Sequence, residues 1–252
     1  MMRTLVIGDI HGGLKALKQV LERAKITAKD QLVFMGDYVD GWSESAQVIQ
    51  YLMRLSEVNT CVFLKGNHDM WCEKWLRTNK AENVWINHGG KGAIESYKDF
   101  SKVEKEAHLQ FFDQMKNYYV DAENRLFVHA GFTSINGVEN ESLESTFYFD
   151  RSLWQMALDL HKTIGKNPEL YPKHLKLYNE IYIGHTPTTI YFQNEPMHAL
   201  NIWNVDTGAA FYGKLSALDI NSKQVFQSDP LMELYPNEKG RNDRSLNQIL
   251  GK

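Results

Sequence analysis

The stretch Gly36-Asp37-Tyr38-Val39-Asp40-Gly41-Trp42 follows an apolar run, Leu32-Val33-Phe34-Met35, and carries two carboxylates three residues apart. A short apolar run closed by a glycine reads as a buried strand ending in a tight turn, which places acids at the carboxyl edge of a sheet. Two other stretches share this design: Leu5-Val6-Ile7-Gly8-Asp9-Ile10-His11-Gly12 before it, and Val62-Phe63-Leu64-Lys65-Gly66-Asn67-His68-Asp69 after it. Core packing has no use for three strands that each end in a glycine and then in metal-ligating side chains. The reading is that Asp37 bridges two metal ions and that Asp40 holds a catalytic histidine.

Strands over residues 3–8, 31–36 and 60–65 are separated by two amphipathic segments. In the first, Leu14, Leu17, Leu21 and Ala24 share one face; in the second, Val48, Leu52 and Leu55 do, with Ser43 or Ser45 as cap. This order predicts parallel β-α-β units and an α/β fold with ligands where the strands end. Residues 70–122 are polar and helical in pattern, broken at Asn87-His88-Gly89-Gly90, and read as a helical insertion over the site within a single domain, 1–252. Strands over 125–128 and 180–184 then deliver His129 and His185, with a helix near 152–160 between them. The alternation from Lys214 to Ile220 predicts an antiparallel strand. Beyond Pro230 the chain is polar, and a surface tail is expected over 230–252.

Composition bounds the alternatives. In 252 residues, 43% are hydrophobic and 23% charged, as in ordinary globular proteins. A formal charge of −3 argues against stable nucleic-acid binding or attraction to anionic membranes. No apolar run is long enough to span a bilayer, and a strand beginning almost at Met1 leaves no room for a signal peptide, so the expected location is cytoplasmic. The two cysteines, Cys61 and Cys72, make no disulfide framework and read as packing residues. Oligomeric state leaves no mark in the sequence.

Asp9 and His11, two apart in an extended segment, point the same way and can serve one ion. Asp37 has two oxygens with which to span two ions. Asn67 and His68 are adjacent and point apart, so one can ligate while the other faces the substrate. His129 and His185 complete a mixed nitrogen and oxygen set, which suits Mn²⁺, Fe or Zn²⁺ better than Ca²⁺. Any one of these motifs alone is an ordinary turn. Their recurrence after successive strands is what points to metal.

Gly8-Asp9-Ile10-His11-Gly12, Gly36-Asp37-Tyr38-Val39-Asp40, Gly66-Asn67-His68-Asp69, His129-Ala130-Gly131 and Gly184-His185-Thr186-Pro187 resemble, in order, the motif set of the calcineurin-like metallophosphoesterases. Within them the chain is most similar to bacterial serine/threonine phosphoprotein phosphatases and symmetrical diadenosine tetraphosphatases. Asn204-Val205-Asp206-Thr207-Gly208 also resembles a late strand of that family. The resemblance implies a four-layer α-β-β-α sandwich with a dinuclear centre. It places Asp9, His11 and Asp37 on one metal, and Asp37, Asn67, His129 and His185 on the other. Mn²⁺ is the expected ion, with Fe/Zn pairs as the alternative.

The expected chemistry is hydrolysis of a phosphoester. Metal binding lowers the pKa of water to about 7, so a hydroxide bridging two ions can attack phosphorus in line. His68 is the expected general acid, with Asp40 fixing its tautomer and raising its pKa; the plainer role for Asp40 is a turn cap. Arg151, with Asn67, is assigned to substrate binding because a guanidinium can chelate two phosphoryl oxygens; the plainer role is an Asp150–Arg151 surface pair. In the protein-phosphatase pattern an arginine follows the second aspartate, where this chain has Gly41, and a glutamate stands where it has Asp69. Trp42, Trp71, Trp75, Trp85 and Trp154 are either aromatic walls near the pocket or packing residues. The first expectation is a serine/threonine phosphatase-like phosphomonoesterase acting on phosphoprotein or a small phosphoester. Alternatives are a dinucleoside polyphosphate hydrolase and, from another class, a non-catalytic metal-binding scaffold.

Overall fold

In a computed structural model describing residues 3–165 and 167–242, the apolar strands are buried on both faces. β1 (Thr4–Ile7), α1 (Leu14–Arg23), β2 (Gln31–Phe34), α2 (Ser45–Ser56) and β3 (Thr60–Phe63) alternate as expected, and β2 pairs in parallel with both β1 and β3. There follow α3 (Asn67–Thr78), α4 (Asn83–Trp85), α5 (Lys91–Ser96), α6 (Lys102–Asp113), β4 (Tyr118–Val120) and β5 (Arg125–Val128). Next come α7 (Thr146–Phe149), α8 (Ser152–Ile164), β6 (Glu180–Ile183), β7 (Met197–Ala199) and β8 (Ile202–Asn204). The described chain closes with β9 (Ser216–Asp219), β10 (Val225–Gln227) and α9 (Leu231–Leu234).

Two five-stranded mixed sheets result, ordered β10-β9-β1-β2-β3 and β4-β5-β6-β8-β7. The period of two in a strand sends alternate side chains to opposite cores. Leu5, Ile7, Leu32 and Phe34 pack on α1 and α2, whereas Val6, Val33 and Met35 meet Phe127, Tyr182 and Val205 of the other sheet. Leu126, Val128, Ile181 and Ile183 face a third core with Leu153, Trp154 and Ala157 of α8. The architecture is therefore the α-β-β-α sandwich. β9 pairs antiparallel with both β1 and β10, in line with its sequence alternation.

Several local expectations change. α3 begins at Asn67, so two candidate ligands sit in the first turn of a helix and not in a loop ahead of one. Neither Ser43 nor Ser45 caps α2; the Ser45 hydroxyl instead accepts the Asp40 N–H at 2.9 Å. The described part of the expected surface tail, 230–242, is seated on the first core by the buried side chains of Leu231 and Tyr235. The rest of the expected tail, 243–252, lies outside the described residues. Trp42 is likewise core and not pocket wall: it is 0% exposed, stacks on Tyr235 at 5.2 Å and donates from Nε1 to Ala209 O at 2.7 Å. Trp85 and Trp154 are buried, and Trp75 packs on Trp85 and Tyr97. Cys72 is buried in the first core, and Cys61 is partly buried against it.

Trp42→Ala removes an indole that joins α9 to the strand-end turn. The expected loss of unfolding free energy is about 3–5 kcal/mol, measured by urea denaturation. A loss under about 1 kcal/mol would show that the C-terminal segment does not depend on this contact.

Candidate metal centre

Backbone conformation explains why the candidate ligands converge. His11, Asp37, Asp40 and His185 all have positive φ, between 52° and 73°. Non-glycine residues rarely occupy this region, and strain of this kind persists where the surrounding structure holds it for a function. His11 therefore sits in a turn and not in the extended segment that the two-residue spacing suggested. Each such turn swings a side chain back over the strand end.

The Asp37 loop is fastened to the start of α3. Asp69 accepts the N–H of Asp37 at 2.7 Å and of Gly66 at 2.9 Å through Oδ2, and that of Tyr38 at 2.9 Å through Oδ1. In return the His68 N–H donates to Asp37 Oδ1 at 2.9 Å, so the carboxylate caps the positive end of the helix. The two backbones are in contact there: a Cβ on Gly66 would lie 2.6 Å from Asp37 N.

Asp37 Oδ2 is left facing His11 Nε2 at 3.6 Å and His129 Nε2 at 3.5 Å. Among the described residues two donor groups form, His11–Asp37–His68 and Asp37–His129–His185, and Asp37 belongs to both. Asn67 Oδ1 lies 3.4 Å from His129 Nε2, beside the second group. Asp9 is in neither group; its Oδ2 accepts the His185 N–H at 3.0 Å, while Oδ1 is buried without a hydrogen-bond partner.

These residues fit a pair of divalent cations. His11 Nδ1 donates to Val39 O at 3.2 Å and His129 Nδ1 to Met35 O at 2.8 Å, which leaves each Nε2 aimed inward. Anchoring the outer nitrogen in this way is how ligating imidazoles are oriented. Burial pushes His11 down to about 3 and lowers His185, so both are neutral and ready to ligate. His129 is the exception: burial works against its charge, but Asp37 prevails and raises it to about 10. A proton thus holds part of the place that a cation would take.

His68 lies on the other side of Asp37, with Nδ1 2.5 Å from Asp40 Oδ2. The carboxylate was expected to raise the histidine. Burial instead lowers His68 and lifts Asp40, pushing each toward its neutral form. Asp40 Oδ2 also accepts the Trp85 indole N–H at 2.6 Å, a buried contact that the sequence gave no reason to expect.

A pocket of about 180 Å³ opens on Asp37, Asn67, His68 and His185. Arg151, at the start of α8, lines it as the sequence suggested; Asp150 is engaged in capping α8, through Ser152 N–H and Leu153 N–H, and forms no ion pair with Arg151 among the described residues. Trp71, His88 and Phe149 make an aromatic wall, with Trp71 5.6 Å from Phe149. Trp71 is therefore a pocket residue and not merely packing. Arg241 also lines this pocket, and no sequence signal marked it. Asp206, in the late motif, is buried close by and accepts the Gly208 N–H at 2.9 Å. A second cavity, about 610 Å³, shares His88 and Arg241 with the first and is completed by Gly41, Ile86, Lys91 and Phe211.

The calcineurin-like phosphoesterase family profile matches residues 2–213. The asymmetrical bis(5'-nucleosyl)-tetraphosphatase PrpE of Oceanobacillus iheyensis is 25% identical over 237 residues, covering 88% of this chain and 90% of the relative. Its namesake from Bacillus mycoides is 27% identical over 232 residues, covering 86% and 90%. Among solved structures, a putative diadenosine tetraphosphatase superposes with a TM-score of 0.61 at 17% identity, covering 89% and 92%. A Saccharomyces cerevisiae serine/threonine phosphatase similar to human PP5 reaches 0.62 at 12% identity, covering 90% and 80%. These two structures speak to fold alone. No helix among the described residues is long and apolar enough to cross a membrane.

Ligation requires neutral imidazole, so loading the metal-free protein must displace the proton on His129. Metal affinity should therefore rise with pH, and addition of Mn²⁺ in weak buffer near neutrality should release at least about one proton per protein. Affinity that stays flat from about pH 6 to 9 would count against this donor set.

Proposed function

The chain belongs to the calcineurin-like phosphoesterase family, and on that premise we propose that it is a dinuclear-metal hydrolase of dinucleoside polyphosphates. The observation that carries the substrate class is the second cavity: the metal pocket shares His88 and Arg241 with a larger space beside it, which a small phosphomonoester would not need. The aromatic wall of Trp71 and Phe149 offers a face on which a base can stack. The names of the curated relatives support the same reading. On these grounds the reading departs from phosphoprotein, the first expectation.

In this reading Asp9, His11 and Asp37 hold one ion, and Asp37, Asn67, His129 and His185 hold the other, with Mn²⁺ as the working metal. Bound ions would supply an activated water and offset charge on the phosphoryl oxygens. The chain's own residues do the rest. His68 donates a proton to the departing oxygen from the inward nitrogen of its ring. Asp40 fixes that ring through Nδ1, and the Trp85 N–H keeps Asp40 in place. Arg151, with Asn67, positions the substrate's phosphoryl oxygens, as a planar guanidinium is suited to do.

With Mn²⁺, kcat/KM for diadenosine tetraphosphate should exceed that for a phosphoserine peptide by roughly tenfold or more, about 1.4 kcal/mol of discrimination; the opposite preference would return the site to phosphoprotein. His68→Asn should retain metal yet lose about 10²–10⁴-fold in rate on alkyl phosphates, with a smaller loss on nitrophenyl phosphate, whose leaving group needs little protonation. An equal loss on both substrates would remove His68 from the acid role.

A further inference from the structure

Arg241 lies outside the residues matched to the family, yet its side chain reaches the metal pocket, where it stands among Asp37, Asn67, His68 and Arg151. Its route there is built for it. A Cβ on Gly41 would lie 3.2 Å from Arg241 Cγ, and one on Gly89 would lie 3.1 Å from the same atom. These two glycines have φ of +91° and +108° and touch through Gly41 N–H to Gly89 O at 3.4 Å. The arginine stem therefore passes through a slot that any side chain at 41 or 89 would narrow.

The base of the arginine is fixed and its tip is not. Arg241 N–H donates to Ala210 O at 2.9 Å, and Gly240 packs against the buried indole of Trp42, which stacks on Tyr235. The guanidinium lies 5.2 Å from the Phe211 ring and otherwise makes no hydrogen bond or ion pair among the described residues. It is half-buried, and the carboxylates of Asp37, Asp40, Asp206 and Asp9 all act on it without any of them binding it directly. A guanidinium held in such a field with its donors unused is set to receive an anion.

Gly41 is the position at which the protein-phosphatase pattern carries an arginine. We propose that Arg241 supplies that missing cation from the C-terminal segment: its guanidinium binds a phosphoryl oxygen of the substrate, and its stem packs beside Gly41 and Gly89. The assignment rests on reading the pocket as a phosphoester site. It does not depend on which phosphoester is cleaved, since the phosphoryl group is common to all of them.

Arg241→Met keeps a stem in the slot and removes the charge, and Arg241→Lys keeps charge without the planar fork. Inorganic phosphate binding to the Mn²⁺-loaded full chain, measured by calorimetry, should weaken about ten- to a hundredfold in Arg241→Met and less in Arg241→Lys. Thermal midpoints should stay close to that of the parent, and KM should rise more than kcat falls. Wild-type phosphate affinity in Arg241→Met overturns the proposal, as does a loss of thermal stability that accounts for the weaker binding. A parent protein that prefers phosphopeptide would overturn the dinucleotide reading and leave the phosphate comparison to decide Arg241. A parent that binds no phosphate would overturn both.

Discussion

The carboxylate of Asp69 is the point on which the centre depends. Three residues into its motif, at the third position of α3, it accepts N–H groups from Asp37, Tyr38 and Gly66, and so ties the end of β2 to the start of the helix after β3. Asp37 can then cap α3 through the His68 N–H while keeping its other oxygen for both histidine groups. A buried carboxylate with three backbone donors has most of its lone pairs satisfied, which is what permits it to remain in an apolar setting. Aspartate at this position is thus a structural tie, and its shorter side chain in place of glutamate concerns loop geometry before it concerns substrate.

Charge balance is the second constraint. Asp9, Asp37, Asp40, Asp69 and Asp206 are all buried within one region of the fold. Such a cluster is stable only if it is protonated, paired or neutralised by cations. Asp40 is hydrogen-bonded to His68, Asp37 faces His129, and Asp9 retains an oxygen with no hydrogen-bond partner among the described residues. Arg241 adds a positive charge at the pocket mouth. The histidines are split accordingly: burial keeps His11 and His185 neutral, while the charge of Asp37 keeps His129 protonated until something stronger replaces its proton.

The aromatic residues divide along the same line between structure and site. Trp42 and Trp85 serve from inside the core, the first by anchoring the C-terminal segment and the second by a hydrogen bond to Asp40. Trp71 projects from α3 into the pocket although Trp75, one turn later, is packed on Trp85. Residue type could not separate these roles, because an indole suits a core and a ligand wall equally well.

By itself the sequence marked the three parallel strands of the first sheet and singled out Asp9, His11, Asp37, Asn67, His68, His129 and His185 as candidates, because apolar runs ended by glycine leave their mark locally. It also showed that residue 41 departs from a pattern. Only the tertiary structure placed Arg241 in the pocket. The Trp85–Asp40 bond, the seating of 230–242 and the passage of Arg241 between Gly41 and Gly89 all join residues distant in the chain. No periodicity or spacing encodes such contacts. Arg241 reaches the pocket from a segment that no local pattern connects to Asp40.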